Sequence, residues 1–199
     1  MSSERLQTLP DHFHGFARMH IAMRRDARRP AGAARSVTAE QMVPVSTWWH
    51  WLREVIDWHH HSEDEVPWPE LHREIPGFAE AARTLGDEHG RLDDAMDRLD
   101  EAFAHGAPAV LIPAADAFGT ILCHHLADQE QLAFPAFAEL GPQACLSVER
   151  RLLRTAPPKV LTHLPPWMLD EADLTTAGRL EATMPPPVGV SPRYGSKGQ

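Results

Sequence analysis

Two stretches of this chain echo each other, and their shared pattern constrains the fold more than any other feature. The first runs Asp57-Trp58-His59-His60-His61-Ser62-Glu63-Asp64-Glu65-Val66-Pro67-Trp68-Pro69. The second runs His124-His125-Leu126-Ala127-Asp128-Gln129-Glu130-Gln131-Leu132-Ala133-Phe134-Pro135. Each carries adjacent histidines, an acidic residue four or five places on, and a proline ten residues after the key histidine, His59 or His125. A step of four keeps two side chains on one face of a helix. Proline marks where a helix is interrupted or ends.

The apolar residues place both stretches on helices. Asp11 is a plausible N-cap for a first helix to about Arg29, with Phe13, Phe16, Met19 and Met23 on its inner face. Pro30 and Gly32 end it. Thr38 to Gln41 resembles a capping box, Pro44 interrupts, and a second helix runs from about Ser46 to Glu65 along Trp48, Leu52, Val55 and Ile56. Pro67 and Pro69 stop it. A third helix is expected from about Pro76 to His105, closed by Gly106, and a fourth from about Ala109 to Leu140, closed by Gly141 and Pro142. No alternating pattern argues for a strand. The expectation is an all-α chain: an up-down antiparallel four-helix bundle over residues 11–141, followed by a proline-rich C-terminal extension over 142–199. Within the extension, 143–155 and 175–184 read as short helices, and the last dozen residues as a loosely docked tail.

Following each apolar stripe brings a histidine inward from every helix: His20, His59, His89 and His125. Glu63 follows His59 by one turn on the same face. An isolated core histidine is usually satisfied by a backbone or carboxylate partner. Several buried imidazoles compete for few partners, and a buried carboxylate is costly without a cation or donors. A metal resolves both, because neutral imidazole and carboxylate are its ligands. The two cysteines, Cys123 and Cys145, form no CxxC pair, so a structural zinc site is not supported. The candidate ligands exceed four, which favours two ions. The phase of His60, His61 and His124 turns them sideways, toward flanking or surface roles.

The pattern resembles the hemerythrin-like, or HHE cation-binding, family. The resemblance rests on His20, on His59 to Glu63, on His89, on His125 to Glu130, and on the turns at Val66-Pro67-Trp68-Pro69 and Phe134-Pro135. It implies metal ligands His20, His59, Glu63, His89, His125 and Glu130 around two iron ions, with a carboxylate or oxo/hydroxo bridge. It also implies O2, peroxide or nitric oxide as the small-molecule ligand. One position departs from the pattern. Measured back from the proline, the match to Glu63 in the second stretch is Gln129, and the carboxylate stands one residue later at Glu130.

Composition narrows the rest. A net charge of -9 with no Lys/Arg stripe argues against nucleic acid as a partner. The N-terminus shows no apolar leader and no apolar run reads as long enough to span a bilayer, giving the expectation of a cytoplasmic protein. Three classes of function stay open at this point: a reversible binder or sensor, a peroxide-consuming oxidoreductase, and a metal-poor helical interaction module.

Overall fold

The computed structural model describes residues 10–36 and 38–183, and all regular structure among them is helical. After a 3-10 turn at Asp11–Phe13 come α1 (His14–Asp26), α2 (Arg29–Ser36), α3 (Ala39–Glu65), α4 (Pro67–Glu74) and α5 (Phe78–Ala81). They are followed by α6 (Arg83–His105), α7 (Pro108–Leu140), α8 (Pro142–Thr155), α9 (Pro158–Leu169) and α10 (Leu174–Thr183).

Four boundaries differ from the sequence expectation. The segment after Asp26 does not stop at Pro30 but turns and forms α2, with Pro30 in its first turn, where its missing N–H would have no intrahelical partner. Pro44 does not interrupt α3. That helix is capped by Thr38, whose hydroxyl accepts from the Gln41 N–H while the Gln41 side chain accepts from the Thr38 N–H. Pro67 and Pro69 end α3 as expected but then open α4, with Pro67 at its first position. The third expected helix starts later, after Gly77 in a left-handed φ of 80°, and is split at Ala82 into the single turn of α5 and the long α6.

α7 is the spine: α6 packs along it most extensively, and α1, α2, α4 and α8 also touch it. By length and composition α7 qualifies as a membrane-crossing helix, contrary to the expectation drawn from apolar runs. Here its apolar residues Leu111, Ala115, Phe118, Leu122 and Leu126 are buried in the protein core. Gly119 lets α7 approach the end of α1, where an added Cβ would lie 3.3 Å from the Ala27 carbonyl oxygen.

The buried apolar residues fall into two clusters. One contains Met23, Leu52, Ile56, Leu92, Leu99 and Phe118. The other contains Phe13, Trp68, Leu71, Phe78, Leu85 and Ala133. On α6 and α7 the polar residues His89 and Gln129 lie in sequence between a member of the first cluster and one of the second, and on α1 and α3 His20, His59 and Glu63 lie beside members of the first. A polar layer is thus packed among apolar side chains.

The C-terminal extension packs on the rest. α8 lies against α3 and α4, while α9 and α10 lie against α1. α9 is a helix that sequence reading missed, since it runs through Pro165 and Pro166. Each proline forfeits a backbone bond. Tertiary contacts offset the loss: Val160, Leu164, Trp167 and Met168 join the larger cluster, and the Trp167 indole N–H donates to Asp26 Oδ2 at 2.7 Å. The expected helices at 143–155 and 175–184 correspond to α8 and to α10. The expected loose tail, with Pro185 to Pro187, lies outside the described residues.

Candidate metal centre

Histidines and one carboxylate meet inside the polar layer in two groups. In the first, one ligand atom each from His20, His59 and Glu63 lie within 4.8 Å of one another. In the second, the same holds for His60, His89 and His125. All six residues are buried except His89, which is partly exposed.

The first group is built across α1 and α3. His20 Nε2 faces His59 Nε2 at 3.3 Å, and His59 Nε2 lies 3.2 Å from Glu63 Oε1. His59 and Glu63 are one turn apart, so the helix itself sets their spacing. Two ligand nitrogens about 2.1 Å from a shared ion would lie roughly 3.0 to 3.4 Å apart, and the His20–His59 separation falls in that span.

The second group is an imidazole cluster across α3, α6 and α7. The His60 and His89 rings stack with centroids 4.4 Å apart, and His125 meets them edge-on at 5.1 and 4.9 Å. His59 and His60 rings are 5.5 Å apart and join the two groups. Adjacent residues on a helix point about 100° apart. α3 can therefore feed both groups from neighbouring positions, because its inner face is wide.

The carboxylates outside these groups fix the imidazoles. Glu130 Oε1 lies 3.0 Å from His20 Nδ1 and accepts from Arg24 at 2.5 Å. Glu88 Oε2 lies 3.0 Å from His125 Nδ1. A carboxylate that accepts from Nδ1–H leaves Nε2 as the lone-pair nitrogen, which is the nitrogen turned into the layer. Burial opposes ionisation of Glu130, yet its bonds to His20 and Arg24 outweigh burial and hold its carboxyl at about 2. Burial pushes the Glu88 carboxyl up, helped by nearby Asp128.

The electrostatics of the layer match a ligand set. Burial, reinforced by neighbouring imidazoles, holds His59 and His60 well below the ordinary histidine value, and His125 falls to about 3. Burial lowers His20 and His89 as well, and it raises the Glu63 carboxyl well above its ordinary value. Neutral imidazoles are ready to coordinate. The buried atoms His60 Nε2, His89 Nε2, His125 Nε2 and Glu63 Oε1 have no hydrogen-bond partner. Such groups are normally paired, and one cation in each group would satisfy them. The residues therefore fit a bound metal, by donor chemistry and by their unpaired lone pairs.

Five of the six residues expected from sequence, His20, His59, Glu63, His89 and His125, stand in these two groups. Glu130 does not. It is the i+5 residue, and it turns toward α1, to Arg24 and the outer nitrogen of His20. Gln129, at i+4, takes the inward position and donates from Nε2 to Glu63 Oε2 at 2.6 Å. His60 was expected to flank the site, but it is buried and completes the second group. Its signal was the extra width of the α3 face: Val55, Ile56, His59, His60 and Glu63 together form one broad inward stripe. His61 and His124 are exposed, as their phase implies.

The profile of the hemerythrin HHE cation binding domain matches residues 11–137, more than half of the chain. Neither the curated proteins nor the solved structures contain a match.

Proposed function

This chain belongs to the hemerythrin HHE cation-binding family, and from that premise we propose that it is a non-haem di-iron protein that binds or senses O2, peroxide or nitric oxide. The observation that carries the reading is the pair of buried groups, His20/His59/Glu63 and His60/His89/His125, each with three ligand atoms within 4.8 Å. Each group would hold one ion, and the neighbouring His59 and His60 link the two groups on α3. Imidazole-rich donor sets suit iron among the first-row metals, alongside zinc, copper and nickel. Bound as iron(II), two such ions supply two electrons to a small oxidant and offer an open position to nitric oxide.

The protein's own part is to bind, orient and exclude water. Glu130 and Glu88 fix the tautomers of His20 and His125. The apolar clusters pack around the layer. The partly exposed edge at His89 is the side on which the polar layer approaches solvent. On this reading α1, α3, α6 and α7 form the up-down four-helix bundle, and neither nucleic acid nor membrane is a partner.

Anaerobic loading with iron(II), followed by metal analysis and an absorption spectrum on exposure to O2, tests the proposal. Two irons per chain and an oxygen-dependent visible band are expected. His59→Ala and Glu63→Ala should each lower the iron content sharply. Retention of two irons in both variants would show that the ions bind elsewhere.

A further inference from the structure

The two histidine groups meet at Gln129, and its chemistry bears on which cations the centre keeps. Gln129 is fully buried and lies one turn after His125 on α7. Its Nε2 donates to Glu63 Oε2 at 2.6 Å, and it also lies against His59. Its Oε1 has no hydrogen-bond partner. A neutral amide therefore occupies a position that touches the ligands of one group and projects from the helix that supplies His125 to the other.

The charge inventory of the layer is short of anions. Taking the two-ion reading above as the basis, the inward donors are five imidazoles and one carboxylate, Glu63. Glu130 is nearby, but Arg24 lies against it and matches its charge. Glu88 contributes only from the outer side of His125, and Asp64 is an exposed residue 4.0 Å from His89. Two divalent ions already bring more positive charge than these groups offset, and two trivalent ions bring still more into a buried, weakly screened space. Uncompensated buried charge is strongly unfavourable.

We propose that Gln129 is a specificity-determining residue that makes this centre select divalent over trivalent cations. Iron(II) is then favoured over iron(III) relative to a centre with a carboxylate at this position, while both oxidation states stay bound. The amide oxygen of Gln129 can act as a neutral ligand but adds no charge. A glutamate has nearly the same size and shape, so the identity of this one side chain isolates the electrostatic contribution from the packing.

The test uses redox-inert probes: cobalt(II), and gallium(III) supplied as its nitrilotriacetate complex. Wild-type protein, Gln129→Glu and Gln129→Met are equilibrated with each ion. Metal per chain is measured after gel filtration, and relative affinities are measured by competition. Wild type and Gln129→Met, both neutral at this position, should show the same gallium-over-cobalt preference. Gln129→Glu should shift the gallium-over-cobalt preference on the order of a hundredfold, the effect expected of one added charge a few ångströms from the ion at an intermediate dielectric. A Gln129→Glu protein that binds cobalt(II) with no shift in preference overturns the inference, as does a Gln129→Met protein that shifts as far as Gln129→Glu. If Gln129→Glu fails to fold by far-UV circular dichroism, Gln129→Asp, which adds the same charge, is read in its place. Wild type that takes up neither ion overturns the two-ion reading itself, and the inference with it.

Discussion

His60 and His61 are neighbours on α3 with opposite surroundings. His60 is buried between His89 and His125, whereas His61 is exposed and turns its Nδ1 to the Asp57 carbonyl at 2.7 Å. The difference is a matter of about 100° of helical rotation. Spacing along one narrow stripe selects His59 and leaves His60 ambiguous, since the width of the buried face depends on how many helices surround α3. The contrast gives a prediction. His60→Ala should reduce uptake to about one ion per chain, while His61→Ala should leave uptake unchanged; metal analysis after iron(II) or cobalt(II) loading reads both. Equal losses in the two variants would mean that His60 acts through folding and not as a ligand. Glu130 makes the converse point. The family resemblance implies it as a ligand at the longer, five-residue spacing, but here the fifth residue along the helix turns away from the face of the first, and Arg24 on α1 pairs with it.

At the scale of elements, the extension is held to α1 by Arg18. This arginine is buried, and its Nε donates to the Met168 carbonyl at 2.5 Å while an Nη donates to the Asp170 carbonyl. These are acceptors at the C-terminal end of α9, where backbone carbonyls lack intrahelical partners and a cation suits the helix dipole. Asp26 adds the bond from Trp167 and ion pairs with Arg25 and Arg29. Arg18→Met keeps the bulk but strands the carbonyls, and should destabilise the protein by roughly 2 to 4 kcal/mol. Arg18→Lys should recover only part of the loss, because one ammonium cannot reproduce the planar fork. Chemical denaturation and hydrogen exchange of the α9 amides measure this. Unchanged protection of α9 in Arg18→Met would show that its apolar contacts alone dock it. Nothing in the spacing of Arg18 distinguishes it from the other arginines of the first helix, so this clamp was not legible before the chain was folded.

The whole molecule carries more buried neutral imidazoles than its packing alone requires, and this has a consequence for pH. His20, His59, His60, His89 and His125 all have lowered values in the folded, metal-free state, with His125 at about 3. The unfolded chain takes up protons near pH 6.5, and the folded chain does so only at lower pH. Stability from these groups is therefore present above about pH 6.5 and is lost as pH falls. Between pH 6.5 and 5 each imidazole that stays neutral in the fold costs about 2 kcal/mol. Glu63, Asp57, Glu88 and Glu149 work in the opposite direction. Burial raises all four, with Glu149 at about 7, so their contribution favours low pH and is lost as pH rises. The imidazoles outnumber them, so the metal-free protein should melt at a lower temperature at pH 5 than at pH 7. Thermal unfolding in a chelator across that range checks it, and a melting temperature that holds or rises toward pH 5 would show that the buried carboxylates outweigh the imidazoles.

The sequence by itself determined the helical class, the existence of a polar layer in an apolar interior, and five of the six residues grouped there. It could do so because helix periodicity is local: a step of four from His59 to Glu63, or from His125 to Gln129, has the same meaning in any helix of any protein. Only the tertiary structure decided the rest. His60 faces inward because other helices lie on both sides of α3. Glu130 leaves the layer because Arg24 stands across from it on α1. α9 is helical despite Pro165 and Pro166 because Trp167 and Met168 find a place against α1. In each case the outcome depends on a neighbour far away in the chain, 29 residues at the nearest, and long-range contacts of that kind leave no mark in local spacing.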